Sequence, residues 1–284
     1  MPELPEVESV RIGLVKHLLG QEIVAATSFG SRVIRRAEQG LEPLVGRTVT
    51  AIARRGKFLW FELEDIACVA HLGMSGQFRI DCGALAHVRA QMVLGNGSRL
   101  EFIDQRTFGY LAPDALEPTA DELPAGLGTN RPQIPRLVSH IGRDLLDPYI
   151  DKPELAAKIF TKRTAIKKLL LDQTVVSGIG NIYADEALFE AEIHPFLPAA
   201  SLSSAQVERL LACTQDVLER ALAAGGTSFD ALYVHVNGES GYFDRSLRAY
   251  GRSGTPCPRC GAIFTKVMAG GRSSTFCPVC QQKR

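Results

Sequence analysis

The sequence predicts an α+β fold with a β-rich first part carrying one helix at its start, a helical second part and a small cysteine-rich module at the end. Three observations support this prediction. Apolar residues recur with helical spacing at the start of the chain, strand-like runs bounded by turn residues follow to residue 111, and helical spacing returns after residue 153. Four closely spaced cysteines follow from residue 257.

The composition is that of a chain with a sizeable core. Its 284 residues are 45% hydrophobic and 22% charged, which allows two domains and excludes disorder over the whole chain. No apolar run approaches the ~18 residues of a membrane span. The start, MPELPEVESV, lacks the basic and apolar regions of a secretory signal. We therefore expect that the protein does not contact a membrane. We also expect that it acts in the compartment where it is made.

The net charge of +1 hides an uneven distribution along the chain. Residues 1–112 have a net charge of +1, and residues 113–155 and 156–244 each have −4. Residues 245–284 carry eight basic side chains and no acidic one. A basic end on a nearly neutral protein indicates an anionic polymer as partner.

The first part begins with an amphipathic helix over residues 7–18, where apolar residues recur at i, i+3, i+4 and i+7. Pro5 suits the first turn, where a missing N–H costs nothing. Residues 22–111 have the pattern of strands, with turns at Arg55-Gly56 and at the hairpin signal Gly95-Asn96-Gly97. We expect a short helix on an all-β domain built as a sandwich.

The second part is helical and follows an irregular connection. Seven of the fifteen prolines fall between Pro113 and Pro153, in an acidic stretch without clear periodicity, which predicts an irregular connection or interdomain linker. Gly225-Gly226 ends the last of the following helices. The predicted helices cover residues 153–162, 164–171, 181–191 and 202–224.

The cysteine pattern is the most specific signal in the chain. The pairs Cys257-x-x-Cys260 and Cys277-x-x-Cys280, sixteen residues apart, can converge on one tetrahedral zinc ion that would be structural, because four thiolates leave no open position. The alternative is four buried or redox-active cysteines. The basic tip Gly270-Gly271-Arg272 between two short predicted strands suits phosphate contact. Zinc modules also bind proteins, so a zinc site alone does not specify function.

The turn Gly178-Ile179-Gly180-Asn181 before a helix is the second signal. Glycines allow a close backbone approach, the helix start offers free N–H groups, and Asn181 is a natural N-cap. A basic run precedes it, so that the segment suits a helix-turn-helix that grips phosphates. The alternative is a tight corner between helices with a solvated basic face. The basic run consists of Lys158, Lys162, Arg163, Lys167 and Lys168.

The N-terminus offers a possible nucleophile. Acidic residues at Glu3 and Glu6 favour the helix dipole, and most such residues do only that. If Met1 is removed, however, Pro2 carries a free secondary amine, and α-amines have pKa values near ~7.7–8. Such an amine attacks an electrophilic carbon to form an iminium, with Glu3 beside it to shuttle protons.

Two further segments admit two interpretations. The segments are HLGMSG, which contains Met74, and DQRTFG, which contains Arg106 and Phe108. Methionine and phenylalanine are residue types that composition alone would assign mainly to the core. In a protein that binds a duplex, apolar wedges beside an arginine would open the base stack and hold the gap.

Taken in order, these motifs resemble one family over essentially the whole chain. MPELPEVE, HLGMSG, DQRTFG, SGIGNIYADEALF, GGTSF with GYF, and the terminal CxxC-x16-CxxC are similar to those of formamidopyrimidine-DNA glycosylases, the MutM-type 8-oxoguanine DNA glycosylases. The resemblance implies a base-excision repair enzyme with glycosylase and AP lyase activities. It also implies double-stranded DNA with oxidised bases or abasic sites as partner, a monomer, and a location in the bacterial cytoplasm.

The fold implied by the resemblance has four parts. Residues 1–130 form the catalytic β-sandwich domain with the N-terminal helix, and residues 131–150 form a linker. Residues 151–244 form the helix-two-turn-helix domain with the lesion loop. Residues 245–284 form the zinc finger, a β-hairpin with one structural Zn²⁺.

The resemblance also implies roles for single residues. Pro2 matches the nucleophile that attacks C1′ and forms a Schiff base. Glu3 matches the proton donor and acceptor, and Glu6 matches a supporting acidic residue. Lys57 matches a lysine with a role in catalysis and in holding the lesion strand. β- and δ-elimination would follow. The remaining matches are the wedge residues Met74, Arg106 and Phe108, the phosphate-binding positions His71, His87, Lys167, Asn181 and Arg272, and the zinc ligands Cys257, Cys260, Cys277 and Cys280.

The sequence departs from the family pattern around the lesion pocket. Ala231-Leu232 replaces a common Asp-Tyr or Asp-Phe pair, the loop Tyr233–Phe243 differs, and residues 142–146 lack the usual prolines. These departures concern lesion preference. Endonuclease VIII-type activity on oxidised pyrimidines is an alternative that the continuation Leu4-Pro5-Glu6-Val7 disfavours. A non-catalytic zinc-dependent DNA-binding protein is another, disfavoured by the presence of Pro2, Glu3 and Lys57.

Overall fold

The computed structural model describes residues 2–30, 33–35, 39–83, 86–227 and 243–283. Met1 and most of the lesion loop, including Ala231-Leu232 and residues 233–242, lie outside the described residues. Within the described ranges, no helix has the length and apolar character needed to cross a membrane.

The first part of the chain combines one helix with two antiparallel sheets. The helix α1 spans Leu4–Leu18. The strands are β1 Ile23–Ser28, β2 Ala51–Arg55, β3 Phe58–Leu63, β4 Ile66–His71, β5 Gln77–Ile80, β6 Val88–Leu94, β7 Arg99–Ile103, β8 Tyr110–Pro118 and β9 Gln133–Pro135. Their orders are β1-β6-β7-β5 in one sheet and β2-β3-β4-β8-β9 in the other. The predicted hairpin at residues 95–97 joins β6 to β7.

Apolar side chains from α1 and both sheets share one core. Val10 and Leu14 of α1 are buried with Phe61 and Phe78, whose rings, one from each sheet, lie 5.7 Å apart. This confirms the predicted sandwich with its N-terminal helix. The helix begins earlier than predicted, at Leu4, because the Glu6 carboxylate accepts a hydrogen bond from the Glu3 amide and caps the first turn.

The proline-rich stretch contains strands, and the prediction of an irregular connection over residues 113–153 is wrong for β8 and β9. Pro113 pairs with Cys68 of β4, and β9 pairs with β8 only from Leu116 onward. A proline therefore lies within a paired strand, and the pairing of β8 with β4 continues through it. The division of the chain at residues 130 and 150 stays a prediction.

The second part is helical, as predicted. Its core gathers residues from all four helices, and Leu4 from the start of α1 is buried in it. The cap of α4 differs from the prediction: the N-cap is Gly180 and Asn181 is the first helical residue. The helices are α2 Lys152–Phe160, α3 Ile166–Leu170, α4 Asn181–Glu190 and α5 Ser204–Ala223.

The C-terminal module is a β-hairpin. Strands β10 (Thr265–Ala269) and β11 (Arg272–Phe276) pair in register, with Ala269 opposite Arg272. The tip is Gly270-Gly271, and both residues have positive φ, +58° and +75°, which glycine adopts without strain.

Candidate functional site

The Glu3 carboxylate lies on the first turn of α4. It is 3% exposed and accepts hydrogen bonds from the amides of Gly180 (2.6 Å), Ile182 (3.0 Å) and Tyr183 (3.4 Å). These amides are among those that a helix leaves unpaired at its start, so the carboxylate caps α4 in place of an N-cap side chain. A Cβ on Gly180 would overlap the Glu3 carboxyl group, which explains the glycine before the helix.

Glu6 connects α1 to the helical part. One carboxylate oxygen accepts from the Glu3 amide at 2.8 Å. The other accepts from the Tyr183 hydroxyl at 2.6 Å and from the amide and hydroxyl of Thr227 at 2.7 and 2.9 Å. Glu6 therefore fixes the segment that carries Glu3 against α4 and the chain after α5.

Lys57 lies in the turn between β2 and β3 and extends toward the same helix start. Its Nζ donates to the Ile179 carbonyl at 2.9 Å. Burial lowers the Lys57 pKa, an effect opposed by the nearby Glu3 carboxylate, and burial raises the Glu3 pKa, opposed by Lys57. Gly56, with φ +57°, packs so closely that a Cβ would lie 2.5 Å from the Ser177 side chain. The two segments are thus in backbone contact.

A buried ionic network, which the sequence analysis missed, supports this turn. Arg54 is fully buried and binds Asp144 at 2.7 Å and Glu8 at 2.9 Å. The backbone of Gly56 joins the network: its amide donates to Asp144 (2.8 Å), and its carbonyl accepts from Arg54 (3.1 Å). The network ties the Lys57 turn to α1 and to residue 144. The available signal was an arginine at the end of a predicted strand, next to the predicted turn at Arg55-Gly56.

These groups border a cleft of about 520 Å³ between the sandwich, the helical part and the hairpin. Its lining residues include Glu3, Lys57, His71, Asn181, Tyr250 and Arg272. The fold therefore brings together residues that are up to 269 positions apart in sequence.

The surroundings of His71 favour its neutral form. Burial, together with the Lys57 and Arg35 charges, lowers its pKa to about 4. Its Nδ1 accepts a hydrogen bond from the Gly73 amide at 3.1 Å, and its ring stacks on Tyr110 with centroids 5.7 Å apart. His87, the other histidine singled out, is exposed, with a positive φ of +65°.

Three of the predicted residues lie on exposed loops. Met74 is 38% exposed, Phe108 is 54% exposed, and Arg106 is exposed as well, which is the opposite of the core alternative. The two loops meet backbone to backbone, since a Cβ on Gly73 would overlap Phe108 and Gly109. Asp104 accepts hydrogen bonds from the side chain of Ser75 and the amides of Arg106 and Gly109, which fixes the second loop.

Lys167 is buried and ion-paired. Its Nζ donates to Asp185 and to the Ser273 carbonyl, both at 2.6 Å. Burial lowers the Lys167 pKa, whereas the Asp185 carboxylate raises it. The neighbouring Asn181 and the exposed Arg272 both border the cleft.

The four cysteines converge as a zinc site requires. Their sulfurs lie within 4.8 Å of one another, with 3.9 Å between Cys257 and Cys280 and 3.5 Å between Cys260 and Cys277. Zn–S bonds of about 2.3 Å in a tetrahedron give S···S separations of about 3.8 Å, so the set fits the ion. None of the four forms a disulfide, and none borders the cleft. One Zn²⁺ here is structural.

Family models match three segments of the chain. The formamidopyrimidine-DNA glycosylase N-terminal domain matches residues 1–111, the H2TH domain of the same enzymes matches residues 141–232, and the zinc finger found in FPG and IleRS matches residues 254–283.

Whole proteins match as well. Formamidopyrimidine-DNA glycosylases of Leifsonia xyli and Acidothermus cellulolyticus are 50% and 48% identical, covering 94% of this chain and 94% and 92% of theirs. The crystal structure of MutM from Thermus thermophilus matches with TM-score 0.83 and 35% identity over all of both chains. Lactococcus lactis Fpg with abasic-site DNA matches with TM-score 0.80 and 32% identity, covering 99% of this chain and 100% of that one. This chain therefore belongs to the formamidopyrimidine-DNA glycosylase family, DNA glycosylases of base-excision repair that hydrolyse N-glycosyl bonds.

Proposed function

We propose that this chain is a bifunctional DNA glycosylase and AP lyase that excises oxidised purines, 8-oxoguanine and formamidopyrimidines, from double-stranded DNA. One observation carries the proposal: Glu3 is fixed on the first turn of α4 at the edge of the cleft, with Lys57 bound to the same turn. Pro2 directly precedes Glu3 and is buried with it. This supports the proposal, because a nucleophile at Pro2 would be next to the Glu3 carboxylate that borders the cleft.

The chemistry starts from the Pro2 amine once Met1 has been removed. The nitrogen attacks C1′ of the damaged nucleoside, and the bond between C1′ and the base breaks. The base leaves with the bonding electrons and takes up a proton. The sugar ring opens as its oxygen is protonated, which leaves a Schiff base between Pro2 and C1′. Loss of a C2′ proton then expels the 3′ phosphate, and a second elimination expels the 5′ phosphate.

Glu3 is the proton carrier for these steps. Burial raises its pKa, so its carboxyl retains a proton more readily than a solvated one and can deliver it to the sugar. The ionised form, stabilised by three α4 amides, then accepts the proton lost in elimination. Glu6 holds Glu3 in position through the Glu3 amide. Lys57, with a pKa lowered by burial, assists catalysis and holds the lesion strand.

Access to the base requires that it leave the stack, at a cost of a few kcal/mol. The exposed Met74, Arg106 and Phe108 are suited to fill the gap, because apolar wedges that unstack a step are a common way to keep it open. Phosphate contacts on both flanks would offset part of the cost. The positions proposed for direct contacts are His71, His87, Asn181 and Arg272. Lys167, whose ammonium is buried on Asp185 and the Ser273 carbonyl, is proposed to support phosphate binding through the hairpin.

Borohydride trapping on a duplex with one 8-oxoguanine opposite cytosine tests the proposal. The expected result is a covalent adduct that peptide mapping assigns to Pro2. An adduct formed only with a thymine-glycol duplex would keep the Schiff-base chemistry and move the substrate to oxidised pyrimidines. No adduct with either duplex, with tight lesion binding retained, would leave a damage-binding protein.

Two controls sharpen this experiment. Intact mass spectrometry must find the chain without Met1, because a retained Met1 blocks the amine. Glu3→Gln keeps the size of the side chain and an oxygen that accepts hydrogen bonds from α4, but it cannot donate a carboxyl proton. We expect lesion binding to persist and the trapping rate to fall by about 10²-fold or more, the usual contribution of an acid–base group.

A further inference from the structure

An ion pair of the helical part is docked on the free edge of the zinc hairpin. Asp185 of α4 and Lys167 of α3 are almost fully buried and lie 2.6 Å apart. The Lys167 ammonium also donates to the Ser273 carbonyl at 2.6 Å, and Asp185 accepts from the Thr275 amide at 3.0 Å. Both of these backbone groups belong to β11.

The geometry is that of an edge strand satisfied by side chains. The sheet of the hairpin has two strands, so each strand has one edge without a strand partner. Ser273 and Thr275 are two residues apart and therefore present their backbone groups on the same edge. The Asp185 carboxylate accepts a hydrogen bond from the Thr275 N–H, and the Lys167 ammonium donates one to the Ser273 C=O. The pair thus does for β11 what a third strand would do.

Docking of the β11 edge affects the position of Arg272. It is the first residue of β11 and directly precedes Ser273, and its exposed side chain borders the cleft. Its charge acts on both buried lysines of the site, lowering the pKa of Lys57 and of Lys167. Since Arg272 lies at the tip of a two-stranded hairpin, the docking of the β11 edge determines where its guanidinium points.

We propose that Asp185 is a positioning residue that holds Arg272 at the cleft for contact with a DNA phosphate. The proposal rests on the proposed function, because it takes Arg272 as a phosphate contact. Asp185 itself touches no DNA. It acts through the β11 edge and through Lys167, so its removal should weaken binding only as far as Arg272 loses its place.

The test is a mutant cycle on DNA binding. The probe is a labelled duplex with a tetrahydrofuran abasic analogue, titrated at several salt concentrations with the full-length, zinc-loaded protein. Arg272→Ala should reduce the slope of log K against log salt by about one, the value for one phosphate contact. Lys167 and Thr275 donate to different oxygens of Asp185, and Asp185→Asn replaces one of these oxygens by an NH2 group, so this variant should move the slope in the same direction. The double variant should match Arg272→Ala alone.

Glu190→Gln is the matched control. Glu190 lies on the same helix, ion-pairs with Arg259 of the zinc module at 2.5 Å, and does not border the cleft. Its replacement removes one negative charge from α4, as Asp185→Asn does, so nonspecific attraction to DNA changes equally. We expect its effect on binding to add fully to that of Arg272→Ala.

Each outcome decides the proposal. Full additivity of Asp185→Asn with Arg272→Ala, no effect of Asp185→Asn, or no effect of Arg272→Ala would overturn it. Excision of 8-oxoguanine by the unchanged protein tests the proposed function separately. Zinc content and melting temperature show whether each variant is folded. If Asp185→Asn does not fold, Asp185→Glu, which keeps the charge and shifts the carboxylate by one methylene, goes through the same cycle.

Discussion

At the scale of single residues, the site consists of ionisable groups that are buried against backbone partners. Glu3 is bound by α4 amides, and Lys57 by the Ile179 carbonyl. His71 borders the same cleft, and burial lowers its pKa. The position of Glu3 beside Pro2 made it a candidate, and the family resemblance implied Lys57 and His71. Their altered pKa values follow from burial and neighbouring charges, which a local motif does not encode.

The pKa of His71 predicts a pH dependence of stability. It is about 4 in the folded protein and 6.5 ordinarily, so between these values the unfolded chain takes up a proton that the folded protein does not. The free energy of unfolding therefore falls as the pH drops through this window. By pH 4.5 the loss from this residue should be about 2 kcal/mol. Urea unfolding at pH 7 and 4.5 should show that His71→Gln removes this part of the loss; an equal loss in both proteins would contradict the assignment.

The close packing of Gly56 predicts that its substitution lowers both stability and activity. In Gly56→Ala the alanine would have to adopt a left-handed φ, and its Cβ would overlap the Ser177 side chain. In Gly97→Ala the alanine would also adopt a left-handed φ, of +86°, but its Cβ would contact no other residue. Gly97→Ala should lose about 1 kcal/mol of stability through backbone strain alone, with excision unchanged. Gly56→Ala should lose more and displace the Lys57 turn, lowering kcat at least tenfold. Melting temperature and single-turnover excision measure the two effects, and equal behaviour of the two variants would contradict the close approach.

At the scale of elements, sequence patterns predicted most of the architecture and failed where tertiary contacts decide. The first helix, the hairpin at residues 95–97 and the long helix α5 follow from periodicity and turn residues. The strand β8 was missed because Pro113 is typical of a strand breaker, and its pairing with Cys68 of β4 is a tertiary contact that a local pattern does not encode. Asn181 was expected as the cap of α4, but a carboxylate from the other end of the chain caps that helix.

The Arg54 network predicts a strong coupling between elements. Asp144→Ala would leave a fully buried guanidinium with Glu8 as its remaining carboxylate partner, and breaking a buried pair in this way costs about 3–5 kcal/mol. Asp216→Ala is the control, because it breaks an exposed ion pair with Arg220 that is worth less than about 1 kcal/mol. Chemical denaturation measures both free energies. A loss below about 1 kcal/mol for Asp144→Ala would contradict the network's role.

At the scale of the whole molecule, the site is assembled from segments far apart in sequence. Asp144 binds Arg54 across 90 positions, and Glu3 binds Gly180 across 177. Motifs and family resemblance identified the parts of the site. Which charges pair across the fold depends on how the sandwich, helices and hairpin pack, so Arg54, Asp144 and Asp185 went unrecognised as partners. The departures at Ala231-Leu232 lie outside the described residues and leave lesion preference to experiment.

The position of the metal predicts that zinc supports binding and not the chemical step. The four cysteines hold the hairpin but do not border the cleft, whereas Arg272 at the hairpin tip does. Removing zinc should unfold the hairpin, because a structural zinc site contributes folding free energy directly. The β11 edge should then separate from Asp185, and Arg272 should leave the cleft.

The expected result is a strong rise in KM for 8-oxoguanine DNA. The rate of Schiff-base trapping at saturating DNA should stay within a few-fold, since Pro2, Glu3 and Lys57 are held by other contacts. Thiol-reagent release of zinc, followed by both assays with and without zinc readdition, measures this; a trapping rate that falls as much as the affinity would contradict the separation.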